Sequence, residues 1–492
     1  MAAQVNRIFT VQEQFMSSVI VIGGGISGLA TARWIADHHP NTRLTILEAS
    51  ERLGGCIGTA HQDGFVCELG PSGFLNKDPS TIALAERVGL GGQIVTGCER
   101  MRRRFILSRG RLRRFPDSPQ TFLTSDLLSI RARARLMLEP VIPCLPQRGE
   151  ETVAQFARRR LGKEAAELLV DPVISGIYAG DPNRLSVQAT LPELAGMEGK
   201  GQSLLKAFTQ SRQQHASESS ASPSAVGRRR YVSFQGGLGQ LIDALGGSMG
   251  SGVVRRNSPV EAVHRDGTQW RVLVGGDAPC EFSADVVVSA APAPAARRYL
   301  GHLHDDLVAV CSAVPYAPVA MVALGYREAD IPHPLDGFGY LVPSVEGGSV
   351  LGVLWSSSIF PGHRSSSGQV LIQAVLGGVR DRTVCDQEDE TLLRTARVQL
   401  RRTIGVASKP LFSRIQRHRG GIPQYEIGHL RRVARAEAAL LNYPGLFLTG
   451  NAFRGIGINA CTADGARVGS AAATYLDVLV GNQTTSYTRA SL

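Results

Sequence analysis

"SVIVIGGGISGLATARWIADHHPNTRLTILEAS", residues 18–50, decides how this chain begins to fold. Ser18–Ile22 is a short run rich in β-branched residues, which suit a pleated strand, and it stops at Gly23. Leu29, Ala32, Trp34 and Ile35 then recur at helical spacing, and Arg43–Leu47 reads as a second strand. Strand, glycine turn, helix and strand make one βαβ unit. Gly23, Gly25 and Gly28 form a GxGxxG in its turn: the first permits the tight turn, the second lets backbone approach a pyrophosphate, the third lets helix and strand pack closely. Gly24, Ile26 and Ser27 complete the loop and the helix start, whose free N–H groups favour an anion. Glu48 ends the second strand, placed to accept from a ribose hydroxyl, with Ala49 beside it. A dinucleotide site, rather than a merely structural glycine turn, accounts for all of these elements together.

The bulk numbers bound the rest. A chain of 492 residues exceeds one ordinary core, so two or three domains are expected. Its 43% hydrophobic and 19% charged residues describe a folded globular protein. A net charge of +11 suits an anionic partner, whether nucleic acid, lipid surface or acidic small molecule. The eight cysteines lie far apart with no CxxC, so no metal site is expected, and reduced thiols point to a cytoplasmic protein. No apolar run approaches the roughly 18–20 residues that span a bilayer. "MAAQVNRIFTVQEQFMSS" lacks the apolar core of a secretory signal, so residues 1–17 read as a disordered extension, or as an overlong start with Met16 the true one.

Farther along, "RRFILS" and "RLRRFP" flank Arg109-Gly110, a hairpin signal inside an arginine-rich tract from Arg100 to Arg114. Residues 121–170 look helical and basic, with apolar and arginine faces that suit a lipid surface as well as a solvated one. "DPVISGIYAGDPNRLS", residues 171–186, reads as a shaped loop. Residues 211–229 are Ser-rich and lack large apolar groups, so they read as a flexible surface loop. "YVSFQGGLGQLIDAL" is strand, turn and helix; residues 315–415 are strand-rich; the end is a strand, a Gly-rich loop and a long Ala-rich helix. The one grouping of histidines with acids, His302 and His304 before Asp305 and Asp306, reads as a solvated polar turn, His264 as a strand surface residue, and Asp181 as a loop-shaping group.

"LEASERLGGCIGT" places Arg52 and Gly55 just after the acidic residue, and "GFVCELGPSGF" follows with Gly70, Pro71 and Ser72. This layout resembles the flavin-containing amine oxidase superfamily. "NSPVEAV" resembles its strand whose Val260 backbone meets the adenine. "LFLTGNAFRGIGINACTADGARVGSAA" resembles its C-terminal flavin motif, which places Gly450, Ile456, Gly457 and Ile458 beside the flavin, at a helix N-terminus that stabilises negative charge. The implied cofactor is FAD.

Within that superfamily, "SGIYAGDPNRLS", "RRFILSRGRLRRFP", "GFGYLVP" and "GVLWSSSIFPGHR" resemble the protoporphyrinogen/coproporphyrinogen oxidase family, over roughly residues 18–480 apart from the Ser-rich insert. The resemblance implies that Arg104 meets a substrate propionate, that Ala179 and Gly180 line the cavity under the flavin, and that Leu341 and Phe360 sandwich a tetrapyrrole. A porphyrinogen is a broad apolar ring with carboxylates on an edge, so an apolar slot and a cation suit it. The implied reaction removes six electrons in three cycles onto FAD, with O2 as acceptor and H2O2 as product. No side chain stands out as an essential base, since the cofactor carries the chemistry.

The expected fold is α/β: a discontinuous Rossmann-like FAD-binding domain (18–97, 231–297, 416–482), a mixed-sheet substrate domain (98–115, 298–415), and a helical, membrane-associating segment (116–210). Residues 211–230 form the loop and 483–492 a tail. Expected partners are the tetrapyrrole, O2, a peripheral membrane surface and a ferrochelatase, with no nucleic acid, for a cytoplasmic monomer or homodimer. Protoporphyrinogen IX is the preferred substrate, for the plant-like "SGIYAGDP" and "SSSIFP"; coproporphyrinogen III is the alternative, since "NAFRGIGINACTADG" looks more like bacterial relatives. An amine oxidase or carotenoid desaturase of the same fold is a more distant reading: "LTGNAFRG" lacks the aromatic–acid pair usual in amine oxidases. A non-enzymatic relative that binds prenylated GTPases is disfavoured by the complete flavin motifs.

Overall fold

The computed structural model describes residues 17–116, 119–144, 149–200, 202–204 and 230–490. The expected N-terminal extension lies outside the described residues except for Ser17, which is strand, and nearly all of the Ser-rich loop lies outside them too.

Ser17–Ile22, helix Ile26–His38 and strand Thr42–Leu47 form the βαβ unit. They belong to a five-stranded, all-parallel sheet in the order 254–255, 42–47, 17–22, 286–289, 446–448. Strands distant in the chain thus meet in one domain. Both faces are covered, which is why Ser18–Ile22 is nearly all apolar and not alternating. Val19 and Val21 pack against Leu29 and Ile35 of the first helix and Val468 and Ala472 of the last. Ile20 and Ile22 pack the other way, against Trp270 and Val272 of a three-stranded antiparallel sheet and the helix Ala293–Leu300.

A second, seven-stranded mixed sheet has the order 412–423, 316–327, 369–377, 350–354, 339–341, 105–108, 111–114. All pairs are antiparallel except 339–341 with 105–108. The hairpin turns at Arg109 and Gly110, whose φ values of 53° and 72° give the two positive angles a tight turn needs. One face of the sheet buries Leu392, Ala396 and Leu400 of helix Asp389–Ile404; on the other, Ala323 and Leu371 meet Phe65 and Cys67 of the strand Phe65–Glu68. The strand Phe412–Pro423 carries this sheet past residue 415: a bulge leaves Gly420 and Gly421 out of the ladder, and Ile422 and Pro423 then pair again with Ala317 and Tyr316.

The described residues between 119 and 199 are mostly helical, within the expected helical segment 116–210, but one stretch read as loop is helix. "DPVISGIY" is not loop but the helix Asp171–Tyr178, continuous with Lys163–Ala165 through the wide turn Ala166–Val170. Pro172 has no N–H to return to the preceding turn, and the wide turn accommodates the break. Burial of Ile174, Ser175 and Tyr178 outweighs the poor helix propensity of Pro and Gly. The C-terminal helix runs from Ile458 to Ala490, well beyond residue 482.

Candidate cofactor and substrate site

The carboxyl ends of three parallel strands converge on one crevice, where open α/β sheets bind ligands. Gly23 follows the first strand with φ 106°, and a Cβ there would lie 3.0 Å from the backbone of Ala290, which follows the neighbouring strand. Gly450 follows the third, with φ 119° and a notional Cβ 3.6 Å from the Ala290 carbonyl oxygen. A Cβ on Gly28 would sit 2.0 Å from the Gly23 carbonyl oxygen, so this glycine is required by packing. Gly25 differs: nothing lies within 4 Å of its notional Cβ. That clearance, at the start of the helix Ile26–His38, fits a pyrophosphate drawn to the free N–H groups.

Glu48 holds the rim of this crevice. One carboxylate oxygen accepts the Gly24 N–H at 2.7 Å; the other accepts from the Ser50 N–H and Oγ at 2.9 and 2.6 Å. Its carbonyl accepts the Ser258 N–H at 2.8 Å, which brings the start of strand Val260–Asp266 alongside. Arg52 is spent on its own loop, donating to the carbonyls of Leu53, Ile57 and Gly55, so it staples the loop. Gly70 presses on that loop, its notional Cβ 2.0 Å from the Cys56 carbonyl oxygen, and leads through Pro71 to Ser72. Ala49, Gly55 and Gly457 are exposed, while Val260, Pro71 and Ile456 are half-buried, as the wall of an open groove would be. Ser27 is buried under the C-terminal helix, where a Cβ on Gly465 would meet its carbonyl oxygen at 2.7 Å. The first and last helices can approach this closely because Gly465 has no side chain.

Ser72 connects this half to the substrate half. Its Oγ lies 2.7 Å from the hydroxyl of Tyr231. Burial raises Tyr231 to about 12, so the phenol keeps its proton. Tyr231 meets Phe338 edge-on at 5.3 Å between ring centres, and the Arg104 guanidinium lies over Phe338 at 5.3 Å. Arg104 is accessible to solvent yet crowded by protein, the combination found in a recess. Desolvation pulls its pKa down, against the nearby Tyr231, and among the described residues nothing accepts from its guanidinium. A carboxylate would satisfy it.

Leu341 is half-buried beside Gly176, whose notional Cβ would lie 2.6 Å from a Leu341 methyl. Three expected substrate contacts are placed differently. Phe360 is only 1% exposed, stacked on Tyr231 at 5.8 Å with Arg364 over its ring at 4.7 Å, so it is core. Phe338, inside the quoted "GFGYLVP", is the half-exposed aromatic next to Arg104. Ala179 and Gly180 are buried too: Ala179, at φ 49°, packs under Gly378, and Gly180 abuts Gln424. Gly176 and Ile177 are the exposed face of that segment. Sequence reasoning missed Tyr231 and Phe338, because their partners lie far away along the chain.

The model of the family described as flavin containing amine oxidoreductase matches residues 26–472. The protoporphyrinogen oxidase of rice chloroplasts is 32% identical, over 93% of this chain and 88% of its own. The coproporphyrinogen III oxidase of Bacillus subtilis is 28% identical, over 93% of this chain and 98% of its own. A solved structure from Exiguobacterium sp. 255-15, 25% identical, superimposes with a TM-score of 0.80 over 93% of this chain and 99% of that one. The chain belongs to the flavin containing amine oxidoreductase family, with the protoporphyrinogen and coproporphyrinogen III oxidases as relatives, and is an FAD-dependent oxidoreductase.

Proposed function

We propose that the chain oxidises protoporphyrinogen IX to protoporphyrin IX, with O2 as acceptor and H2O2 as product. Arg104 carries this reading: a crowded guanidinium without an acceptor among the described residues, above a half-exposed aromatic, one hydrogen-bonded tyrosine away from the flavin loop. Bound FAD supplies a two-electron acceptor, so six electrons leave in three cycles. Arg104 binds one propionate. Phe338, Leu341 and Ile177 offer the ring an apolar surface, and Tyr231 fixes Ser72 against the cofactor.

A second reading, coproporphyrinogen III, is favoured by Arg380. It donates to Ser175 Oγ at 2.9 Å and lies 3.6 Å from Asp171, but its Nε and Nη1 are buried without partners among the described residues. A cation by the helix Asp171–Tyr178, beyond the end of strand 339–341 opposite Arg104, suits a substrate with carboxylates on more than one edge.

Porphyrin fluorescence appearing in air with each porphyrinogen in parallel, against an enzyme-free control, tests both. Faster turnover of the first supports the main reading, and faster turnover of the second supports the alternative. No turnover of either by FAD-loaded protein overturns both.

The helix Ile130–Met137 and the turn after it expose Ile130 (78%), Met137, Leu138 and Val141 (74%) beside exposed Arg131. We read this patch as a peripheral contact with the anionic cytoplasmic membrane face. No helix among the described residues is long and apolar enough to cross a membrane. Sedimentation with anionic vesicles should capture the protein at low salt and release it at high salt; no capture at low salt sinks the idea. We further read the product as passing to a ferrochelatase, from a monomer or homodimer.

A further inference from the structure

The segment Gln424–Tyr425–Glu426 belongs to no motif above, yet it lies between the two halves of the site. On one side it grips the turn after helix Asp171–Tyr178. Gln424 Nε2 donates to the Tyr178 carbonyl at 2.7 Å, and the Tyr425 carbonyl accepts the Ser186 N–H at 2.9 Å. On the other side it grips the Gly-rich loop Asn451–Gly457. The Tyr425 hydroxyl donates to the Asn451 carbonyl and accepts the Gly455 N–H at 2.7 Å. His429 stacks on the Tyr425 ring at 4.1 Å and 11°, and its Nε2 donates to the Phe453 carbonyl at 3.0 Å.

Three backbone groups of one loop are therefore fixed by two stacked rings. Both rings are buried, Tyr425 at 1% and His429 at 0% exposure. Burial raises the Tyr425 phenol and lowers the His429 imidazole, so each stays neutral and in its bonding form. Arg454 pairs with Glu437 and Asp464, and Ala452 and Phe453 are buried, but Gly455 at φ 109° and Gly457, with nothing within 4 Å of its notional Cβ, have no side chain to hold their backbone. A glycine-rich loop without such ties loses conformational entropy when it orders around a ligand.

We propose that Tyr425 and His429 are positioning residues that pre-order the loop Asn451–Gly457 for FAD, and that Gln424, beside them, holds the substrate-side turn in register with it. This rests on the porphyrinogen reading only for the substrate side.

The test is Tyr425→Phe, which keeps the ring and its stack but removes the hydroxyl. Stripped of FAD and titrated with it, the variant should bind about tenfold more weakly, the worth of a lost buried hydrogen bond or two. The visible flavin bands of the reloaded protein should shift, and KM for the porphyrinogen should rise. If Tyr425→Phe does not fold, His429→Gln takes its place: the amide still reaches for Phe453, the stack is lost, and FAD binding should weaken in the same direction. A variant that melts earlier but keeps the FAD affinity and flavin spectrum of the parent overturns the proposal. If the parent turns over neither porphyrinogen, the functional reading falls, while the FAD titration still decides this one.

Discussion

The Tyr231 hydroxyl lies 2.7 Å from Ser72 Oγ, and this one hydrogen bond joins the arginine-lined recess to the flavin-side loop. Phe338 and Phe360 pack around the Tyr231 ring, so the bond is held from the substrate domain. Tyr231→Phe should keep the packing and free Ser72. FAD affinity should fall about fivefold, within the worth of one neutral hydrogen bond, measured by flavin release from the purified variant. Unchanged affinity would break the link between the two halves.

Arg104 has no acceptor of its own among the described residues, so its loss should harm binding more than folding. Arg104→Ala is expected to raise KM for either porphyrinogen about 10- to 100-fold, the range for a hydrogen bond to a charged group. FAD content and melting temperature should stay near the parent's. Lysine should restore only part, because it lacks the planar fork that grips a carboxylate. A KM unchanged in Arg104→Ala would remove this residue from the site.

Two glycines of one motif should fail in different ways. Gly28→Ala drives a methyl to 2.0 Å from the Gly23 carbonyl oxygen, so the apoprotein itself should lose about 1–3 kcal/mol. Gly25→Ala meets nothing within 4 Å and Gly25 sits at φ −73°, which alanine tolerates. Its apoprotein should melt with the parent's, yet bind FAD about tenfold or more weakly. Thermal melts with and without FAD separate the two, and equal FAD affinity in Gly25→Ala would exclude that clearance as the pyrophosphate cradle.

Phe360 and Phe338 should likewise divide. Phe360→Ala opens a hole in the core and should cost about 3–5 kcal/mol. Phe338→Ala should cost less stability and show mainly as a higher KM. Denaturant unfolding of both variants, beside their kinetics, checks the assignment; the reverse pattern would return Phe360 to the cavity wall.

Glu68 gives the protein a pH signature. Burial raises its carboxyl from 4.5 to about 7, although Arg364 at 3.4 Å, Thr59 and the Leu238 N–H pull it back. Below pH 4.5 the group is protonated in both folded and unfolded chains, so nothing is lost. Above that the unfolded chain releases its proton first, and stability falls until the folded group has ionised too, near pH 7. Glu68→Gln should flatten that part of the stability profile, and an equal slope in parent and variant would assign it elsewhere.

How much of this was legible follows from how local each signal is. The hairpin at Arg109-Gly110 was readable because two adjacent residues encode its turn. Glu48 was readable because a strand of fixed pitch delivers it to the loop. The helix Asp171–Tyr178 was not: its proline and glycine speak locally for a loop, and only burial against other elements makes it helical. Phe360 carries a family-like neighbourhood, but sequence does not say which of several aromatics faces outward.

The sequence by itself determined the βαβ unit and its glycine loop, which depend on spacings within a few tens of residues that backbone geometry converts directly into positions. The discontinuous FAD fold and the class of chemistry were legible only through the resemblance of widely separated motifs to the flavin-containing amine oxidase superfamily. The tertiary structure decided which side chains form the site. Ser72 meets Tyr231 across 159 residues of chain, and Tyr425 meets the loop at Gly455 across 30. Such pairs arise when segments far apart in the chain fold into one unit and bury their apolar faces together, as Phe74 and Val232 pair beside Ser72 and Tyr231, and no local pattern in the chain records where those faces will meet.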